Sequence, residues 1–411
     1  MSRPYEFWGV FSWLFTTPNS GIHWCSITLP AEDRKSHAYS QMPHLPPDTA
    51  AARRPRPAQH HHGHEPERLG TGIAQSSCRV RAGGSTINFK PSLTGAITLT
   101  SGEITIDHGV TINGAGRITV SGNHQSRIFE VDAPTTITGL TLQNGTVSGG
   151  TNDGYGGAVE NRSAVLHLSD DTFTGNTAPA GGGAIYSGGQ LSATNCTFES
   201  NSTDIYGGAV YTVGPTTISH SEFVSNTVAP SFFGGGGAIY ANVAASAKVT
   251  VDSSTFSSNT ANGPGGSGGA VENANGTVEL TGDTFTSNSA VTQGGAVYNA
   301  SGSTLAVTNS VFGRNSATDP VYSYGGAIAN LGSLATITNS TFGATLAANS
   351  ASHGGAVYNS GTGPLTIDTS TLTGNLPYDL DNNGVATIDS SILGVVTNTG
   401  TLHLNQTTFI G

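Results

Sequence analysis

From residue 85 onward the chain alternates apolar and polar residues in short runs. Thr86-Ile87-Asn88-Phe89, Ala96-Ile97-Thr98-Leu99-Thr100, Glu103-Ile104-Thr105-Ile106, Arg117-Ile118-Thr119-Val120 and Thr135-Thr136-Ile137-Thr138 all have period two. Gly, Asn or Pro stands close to the end of each run. The pattern predicts many short strands between tight turns, and no stretch shows the period of a long amphipathic helix.

A longer period lies over the short one. Gly156-Gly157-Ala158-Val159-Glu160-Asn161 returns at Gly182, Gly207, Gly236, Gly268, Gly294, Gly325 and Gly354. Counted from alanine to alanine, the steps are 26, 25, 29, 32, 26, 31 and 29 residues. Between the copies lie a Thr/Val strand and a Phe-x-x-Asn motif at Phe173, Phe198, Phe223, Phe256, Phe285 and Phe312. After 342 the second motif weakens: the Asn that should follow Phe342 is delayed to Asn349, and Leu372 replaces Phe before Asn375. One small unit stacked many times is the reading of such a period. Three strands and three turns per repeat fit one coil of an all-β parallel β-helix, a single-stranded solenoid of about twelve coils over residues 85–411, with hydrogen bonds running between coils.

Side-chain alternation then sorts the repeat. Val159 and its Val/Ile equivalents face inward and stack as an apolar column, as do the Phe residues. Asn161 faces inward too, and a buried amide needs partners. Two amide ladders between coils are expected, one through Asn161, Asn273, Asn299, Asn330 and Asn359, the other through Asn176, Asn201, Asn226, Asn259, Asn288 and Asn315. Glycine pairs suit a bend that needs positive φ or close backbone approach. They lack the Lys of a phosphate-binding loop. The residue between Val and Asn faces outward and reads Glu160, Tyr186, Tyr211, Tyr240, Glu272, Tyr298, Ala329, Tyr358.

Composition divides the chain at Gly84. Residues 1–84 hold all three Trp, nine of the 18 Pro and nine of the 15 Lys and Arg, for a net charge of +3; residues 85–411 carry −14. An acidic repeat region with six scattered cations is a poor nucleic-acid binder, so no nucleic-acid partner is expected. No run is long and apolar enough for a membrane span. Three cysteines, one of them in the repeats, supply no disulfide framework. Residues 1–84 read as a largely irregular segment. Phe7 to Phe15 (FWGVFSWLF) follows Arg3 like the core of an export signal, with poor flanks in Glu6 and Thr16-Thr17-Pro18-Asn19. The abrupt change near Gly83 supports a second reading, in which 1–84 is mis-delimited coding sequence. His60-His61-His62-Gly63-His64 is a metal-tract candidate whose simpler reading is a biased tail.

The alternating Gly-Gly-Ala-Ile/Val and Phe-x-x-Asn motifs, from about Gly156 to Asn375, resemble the polymorphic outer membrane protein repeats of bacterial surface proteins. That resemblance implies a right-handed β-helix, exposed at the cell surface or secreted, and associated with adhesion. Family members often carry a C-terminal transporter barrel, and similar secreted proteins open with a Cys-Ser-Leu-Arg-Glu-Ala segment, of which Cys78-Arg79-Val80-Arg81-Ala82 is at best a remnant.

Two functions compete. The first is a non-catalytic structural or adhesive rod that binds a polysaccharide or cell-surface partner through Tyr186, Tyr211, Tyr240, Tyr298 and Tyr358, whose rings would stack on sugars or protein. Tyr155, Tyr206, Tyr324 and Phe232-Phe233 stand near this stripe in sequence. The second is a polysaccharide lyase or glycoside hydrolase, since fold alone does not decide. No catalytic residue is assigned: Asp170-Asp171 is the only adjacent carboxylate pair of the repeats and reads as a solvated turn, and His167, His220 and His353 stand singly. No cofactor is expected. Asp379, Asp381 and Asn383 open a calcium-loop pattern that lacks its closing Glu, so a turn is the simpler reading.

Overall fold

The computed structural model describes residues 11–17, 20–27, 78–80, 84–89, 91–147, 154–229, 234–343 and 346–410. One hairpin, Phe11–Thr17 against Ser20–Ile27, is antiparallel. All other strand pairs among the described residues are parallel, and none of these residues is helical. The chain winds about eleven turns of a β-solenoid. The His60–His64 tract and Phe232-Phe233 lie outside the described residues.

The first face is a sheet of thirteen strands, from Cys78–Val80 to Val396–Asn398, in chain order. Its opening strand precedes the boundary drawn at residue 85: Cys78–Val80 already pairs with Ile104–Ile106. Three residues followed by Arg-Ala-Gly-Gly are too short to show alternation, so the strand is silent in the sequence. The second and third faces are stacks such as Val165–Ser169 on Gln190–Thr194 and Thr172–Thr174 on Thr197–Glu199. In the early coils Val110–Ser121 and Thr135–Gln143 each run through both faces, with a register shift between Asn113 and Ile118. Six two-residue strands, from Thr177–Ala178 to Ser316–Ala317, close the section.

Registers place like on like. Phe173, Phe198, Phe223, Phe256, Phe285, Phe312 and Phe342 stack with ring centroids 4.6–4.8 Å apart and planes within 6°. The strand spacing sets that distance, so one aromatic per coil gives a continuous dry column. Val159, Ile185, Val210, Ile239, Val271, Val297, Ile328 and Val357 form the opposing wall and are fully buried.

The glycine pair divides its labour. The first member adopts positive φ, from 58° at Gly268 to 69° at Gly325, which favours glycine. The second lies against the next coil: a Cβ on Gly208 would stand 2.1 Å from the Gly237 carbonyl oxygen. Between the second and third faces a single αL residue turns the chain, including Asp170, Asn195, His220, Ser253, Asn309, Asn339, Thr369 and Ser390. Asn, Asp and Ser tolerate that conformation better than branched residues do.

The Phe-x-x-Asn amides form an unbroken column. Nδ2 of Asn176 donates to Oδ1 of Asn201 at 2.9 Å, and the same bond links Asn201 to Asn226, Asn226 to Asn259, Asn259 to Asn288 and Asn288 to Asn315 at 2.9–3.0 Å. Each Oδ1 also accepts the backbone N–H of the preceding Asn, and each Nδ2 from Asn201 onward also donates to a Phe carbonyl one coil back, as Asn201 does to Phe173. The column runs on through Asn349 and Asn375 and ends on Asp379, whose Oδ1 accepts both the N–H and the Nδ2 of Asn375.

The first-face amides are divided. Asn273, Asn299, Asn330 and Asn359 bond in series at 2.8 Å and continue to Asn382 and Asn398. Asn161 stands apart from them and donates to Ser187 Oγ and the Ala164 carbonyl. Ser187, Thr212 and Ala241 occupy the coils between, so Oδ1 of Asn273 faces Ala241 and has no hydrogen-bond partner.

A third column, of Ser and Asp, went unread in the sequence. The residue after the αL corner points inward and accepts a backbone N–H from the preceding coil: Ser221 from Cys196, Ser254 from Ser221, Asp283 from Ser254, Ser310 from Asp283. The Ser of Ser-Thr-Phe was the available signal. Asp171 belongs here, accepting from Leu140, so the solvated-turn reading of Asp170-Asp171 fails for its second member: Asp171 is buried and only Asp170 is exposed.

Burial pushes the Asp171 and Asp283 carboxyls up to about 7 against the backbone N–H groups that favour the charged form. A carboxyl with a raised folded-state pKa binds more protons folded than unfolded between pH 4 and 7. Its stabilising effect is therefore full near pH 4 and lost as pH rises through 7. Asp283→Ser installs the residue of the neighbouring coils, whose hydroxyl donates to its own strand carbonyl, as Ser254 does to Asp252. The variant is expected to match the parent at pH 4 and to exceed it by on the order of 3 kcal/mol at pH 8. Thermal melts across that range check this, and a difference independent of pH would refute it.

Candidate functional site

The outward position of the first face carries the candidate site, with a second column at the corner before each glycine pair. Corner residues bridge coil to coil in the order Tyr155, Gly181, Tyr206, Gly235, Ser267, Gln293, Tyr324, His353. Tyr and Gly alternate at the start, and the glycines make room. A Cβ on Gly181 would meet the Tyr211 ring at 2.6 Å; one on Gly235 would meet Glu272 Oε2 at 1.5 Å. Tyr211 therefore leans back over Gly181 between Tyr155 and Tyr206, and Glu272 does the same over Gly235.

This arrangement revises the flat stripe. Tyr211 is the hub of a cluster, with ring centroids 5.6 Å from Tyr155, 5.4 Å from Tyr186, 5.8 Å from Tyr206 and 5.2 Å from Tyr240. It is only 9% exposed, whereas Tyr186 and Tyr240 are half-buried and present ring surface to solvent. Tyr155 packs on Tyr186 at 4.8 Å and Tyr206 on Tyr240 at 4.3 Å. Glu272 follows, buried, with Ser267 Oγ donating to Oε2 at 2.7 Å. Burial raises its carboxyl to about 7, partly offset by the Ser267 bond. Burial, helped by the Glu272 charge, pushes Tyr298 up to about 12 and raises Tyr240 as well.

The N-terminal end of the face is ionic. Glu160 was expected to face solvent, and it is 3% exposed. Arg127 bridges Glu103 and Glu160 at 2.7 Å each, and Arg162 reaches Glu130 at 2.6 Å and Glu160 at 3.4 Å. Burial raises the Glu160 pKa and the two guanidiniums oppose the rise. An outward position on one coil is thus covered by its neighbours' long side chains.

The C-terminal end gathers Tyr324, His353 and Tyr358. Tyr324 stacks on His353 at 5.1 Å and packs on Tyr358 at 4.6 Å. His353 Nδ1 lies 3.2 Å from Asp381 Oδ2, a pairing between neighbouring coils that single residues in sequence did not disclose. The calcium-loop residues have other engagements. Asp379 ends the amide column and also accepts the Val395 N–H, Asp381 holds His353, and Asn383 accepts from Thr399. Among the described residues no three His, Cys, Asp or Glu side chains converge as a metal site would require. Nor does any helix there have the length and apolarity to cross a membrane, which leaves β-barrel spans unaddressed.

Comparison with known proteins found no match among curated proteins or solved structures. The Chlamydia polymorphic membrane protein repeat matches three segments, residues 172–188, 195–213 and 284–300. Each runs from a Phe strand through its ladder Asn to the next glycine pair, which is the part of the coil that holds the Phe stack, the amide column and the glycine corner. The chain is a parallel β-solenoid, three segments of which are similar to the polymorphic membrane protein repeat.

Proposed function

We propose that the protein is a cell-surface β-helix whose rigid rod presents an aromatic face for adhesion to a glycan or partner surface. The repeat type supports the surface location, since polymorphic membrane proteins belong to the outer membrane or cell surface. The observation that carries the binding role is the ring cluster around Tyr211. Five tyrosines from four coils are held by mutual contact at the surface, where ring faces suit sugar rings or apolar protein groups. Rigid aromatic rings also lose little entropy on binding.

Tyr211 is the wrong residue for a test because it is buried. Tyr186→Ser with Tyr240→Ser removes exposed ring surface and keeps the hub. The full chain, coated on beads, is expected to adhere to cells and to retain glycans on an array, and the double variant to lose at least about tenfold of that binding. Unchanged adhesion in a variant with unaltered melting would overturn the reading.

A further inference from the structure

We propose that the C-terminal end of the face, built from Tyr322, Tyr324, His353, Tyr358, Asp319 and Asp381, is a docking site for arginine side chains of a cationic protein segment. It rests on the preceding reading only in sharing the binding face.

Charge points to the occupant. Residues 315–411 contain five Asp and no Glu, Lys or Arg, so this third of the rod is uniformly anionic apart from histidine. Two of those carboxylates flank the rings. Asp319 is fixed by accepting the N–H groups of Val321 at 2.9 Å and Tyr322 at 2.7 Å. That same turn holds up Tyr322, which is 65% exposed. On the other side Asp381 stands one coil beyond Tyr358, in register with it; it is only 4% exposed and lies 3.2 Å from His353 Nδ1, so it adds charge to the face while the half-buried Asp319 is the carboxylate within a ligand's reach. Both charges bear on Tyr324: its hydroxyl pKa is raised by burial, then by Tyr358, Tyr322, Asp319 and Asp381. Tyr322 is exposed, and Tyr324, His353 and Tyr358, although packed on one another, are only half-buried, so part of this aromatic surface reaches solvent.

Chemistry selects the cation. A guanidinium stacks flat on a tyrosine face and still offers in-plane N–H donors to a carboxylate at the ring's edge. Tyrosine rings beside the Asp319 carboxylate satisfy both demands, and the buried Asp381 adds to the negative charge. A lysine ammonium meets the charge and one ring face, without the planar stack. A neutral sugar gains nothing from the carboxylate pair's charge.

The test is isothermal titration of the full chain with three nonapeptides of alternating Arg and Ser, Lys and Ser, or Glu and Ser. The arginine peptide is expected to bind, the lysine peptide several-fold more weakly and the glutamate peptide not at all. Tyr322→Ser combined with Tyr324→Ser is expected to weaken arginine-peptide binding at least about tenfold. Asp319→Asn with Asp381→Asn should do the same. Asp368→Asn with Asp389→Asn removes equal charge from the second face, where both residues lie in register, and should leave affinity within about twofold. Tyr322→Ser alone, at an exposed position, guards against a folding defect and should still cost several-fold. No arginine-peptide binding overturns the proposal, and so does equal weakening by both Asp pairs, which would mean attraction by net charge only. If the peptide fails while adhesion still depends on Tyr186 and Tyr240, this proposal falls and the adhesive reading stands.

Discussion

Gly208→Ala is expected to cost more than about 3 kcal/mol and to break cooperative unfolding of the coils around it. The added Cβ would stand 2.1 Å from the Gly237 carbonyl oxygen and 2.7 Å from the Thr227 backbone nitrogen. Both are backbone atoms of hydrogen-bonded coils, so no side chain can swing away. Relief requires the coils to separate, and their bonds go with it: Gly208 N–H to the Gly236 carbonyl at 3.0 Å and Ala209 N–H to the Ala238 carbonyl at 3.0 Å. In a solenoid each coil is stabilised by its two neighbours, so an opened interface divides the rod. Gly302→Ala is the control. Gly302 has φ of 86° but nothing within 4 Å of the added Cβ, so only the backbone preference is lost, about 1 kcal/mol. Urea unfolding of the two variants checks the pair. Equal losses would mean that φ alone explains the glycines.

This glycine position also shows what sequence could and could not reveal. Repetition at 25 to 32 residues forces a stacked coil, because only an identical neighbour can satisfy identical strands. Val159, Phe173 and Asn176 follow from alternation within that coil. What alternation cannot disclose is how one coil's side chains cover the next. Glu160 and Tyr211 hold outward positions, yet Arg127 and Arg162 cover the first and the Gly181 slot receives the second. Both depend on contacts between coils, at spacings that vary with loop length. The His353–Asp381 pair was hidden likewise, its members being 28 residues apart in neighbouring coils. Asn349 comes four residues later than the motif after Phe342 would place it, yet its amide keeps its place in the column. Ladder membership is set by the need of a buried amide for its neighbour, and loop length adjusts to it.

The amide column itself supports the second large prediction, in which one pair of residue types gives opposite results at two places. Asn259 sits mid-column: Oδ1 accepts the N–H and Nδ2 of Asn226 at 3.0 and 2.9 Å, and Nδ2 donates to Asn288 Oδ1 and the Phe223 carbonyl at 2.9 Å. Asn259→Asp keeps the two acceptances but turns a donor into a second acceptor, aimed at two oxygens in a dry interior. The variant is expected to lose about 3–5 kcal/mol at pH 8, and less at pH 4, where a protonated carboxyl restores one donor. At the column's end the requirement is reversed. Asp379 receives three donors, the N–H and Nδ2 of Asn375 and the N–H of Val395, and has nothing to donate to. An acid is the fitting terminus there because a carboxylate accepts on both oxygens. Asp379→Asn keeps one accepting oxygen for Asn375 and sets its amide against Val395, a loss of about 1 kcal/mol. Asp379→Ala strands all three donors and should approach the mid-column cost. Denaturant titrations at pH 4 and pH 8 rank the three variants. Equal stability of Asn259→Asp and Asp379→Asn at pH 8 would show that the column is not directional, and the physical account of why this chain repeats Asn at every coil would have to be abandoned.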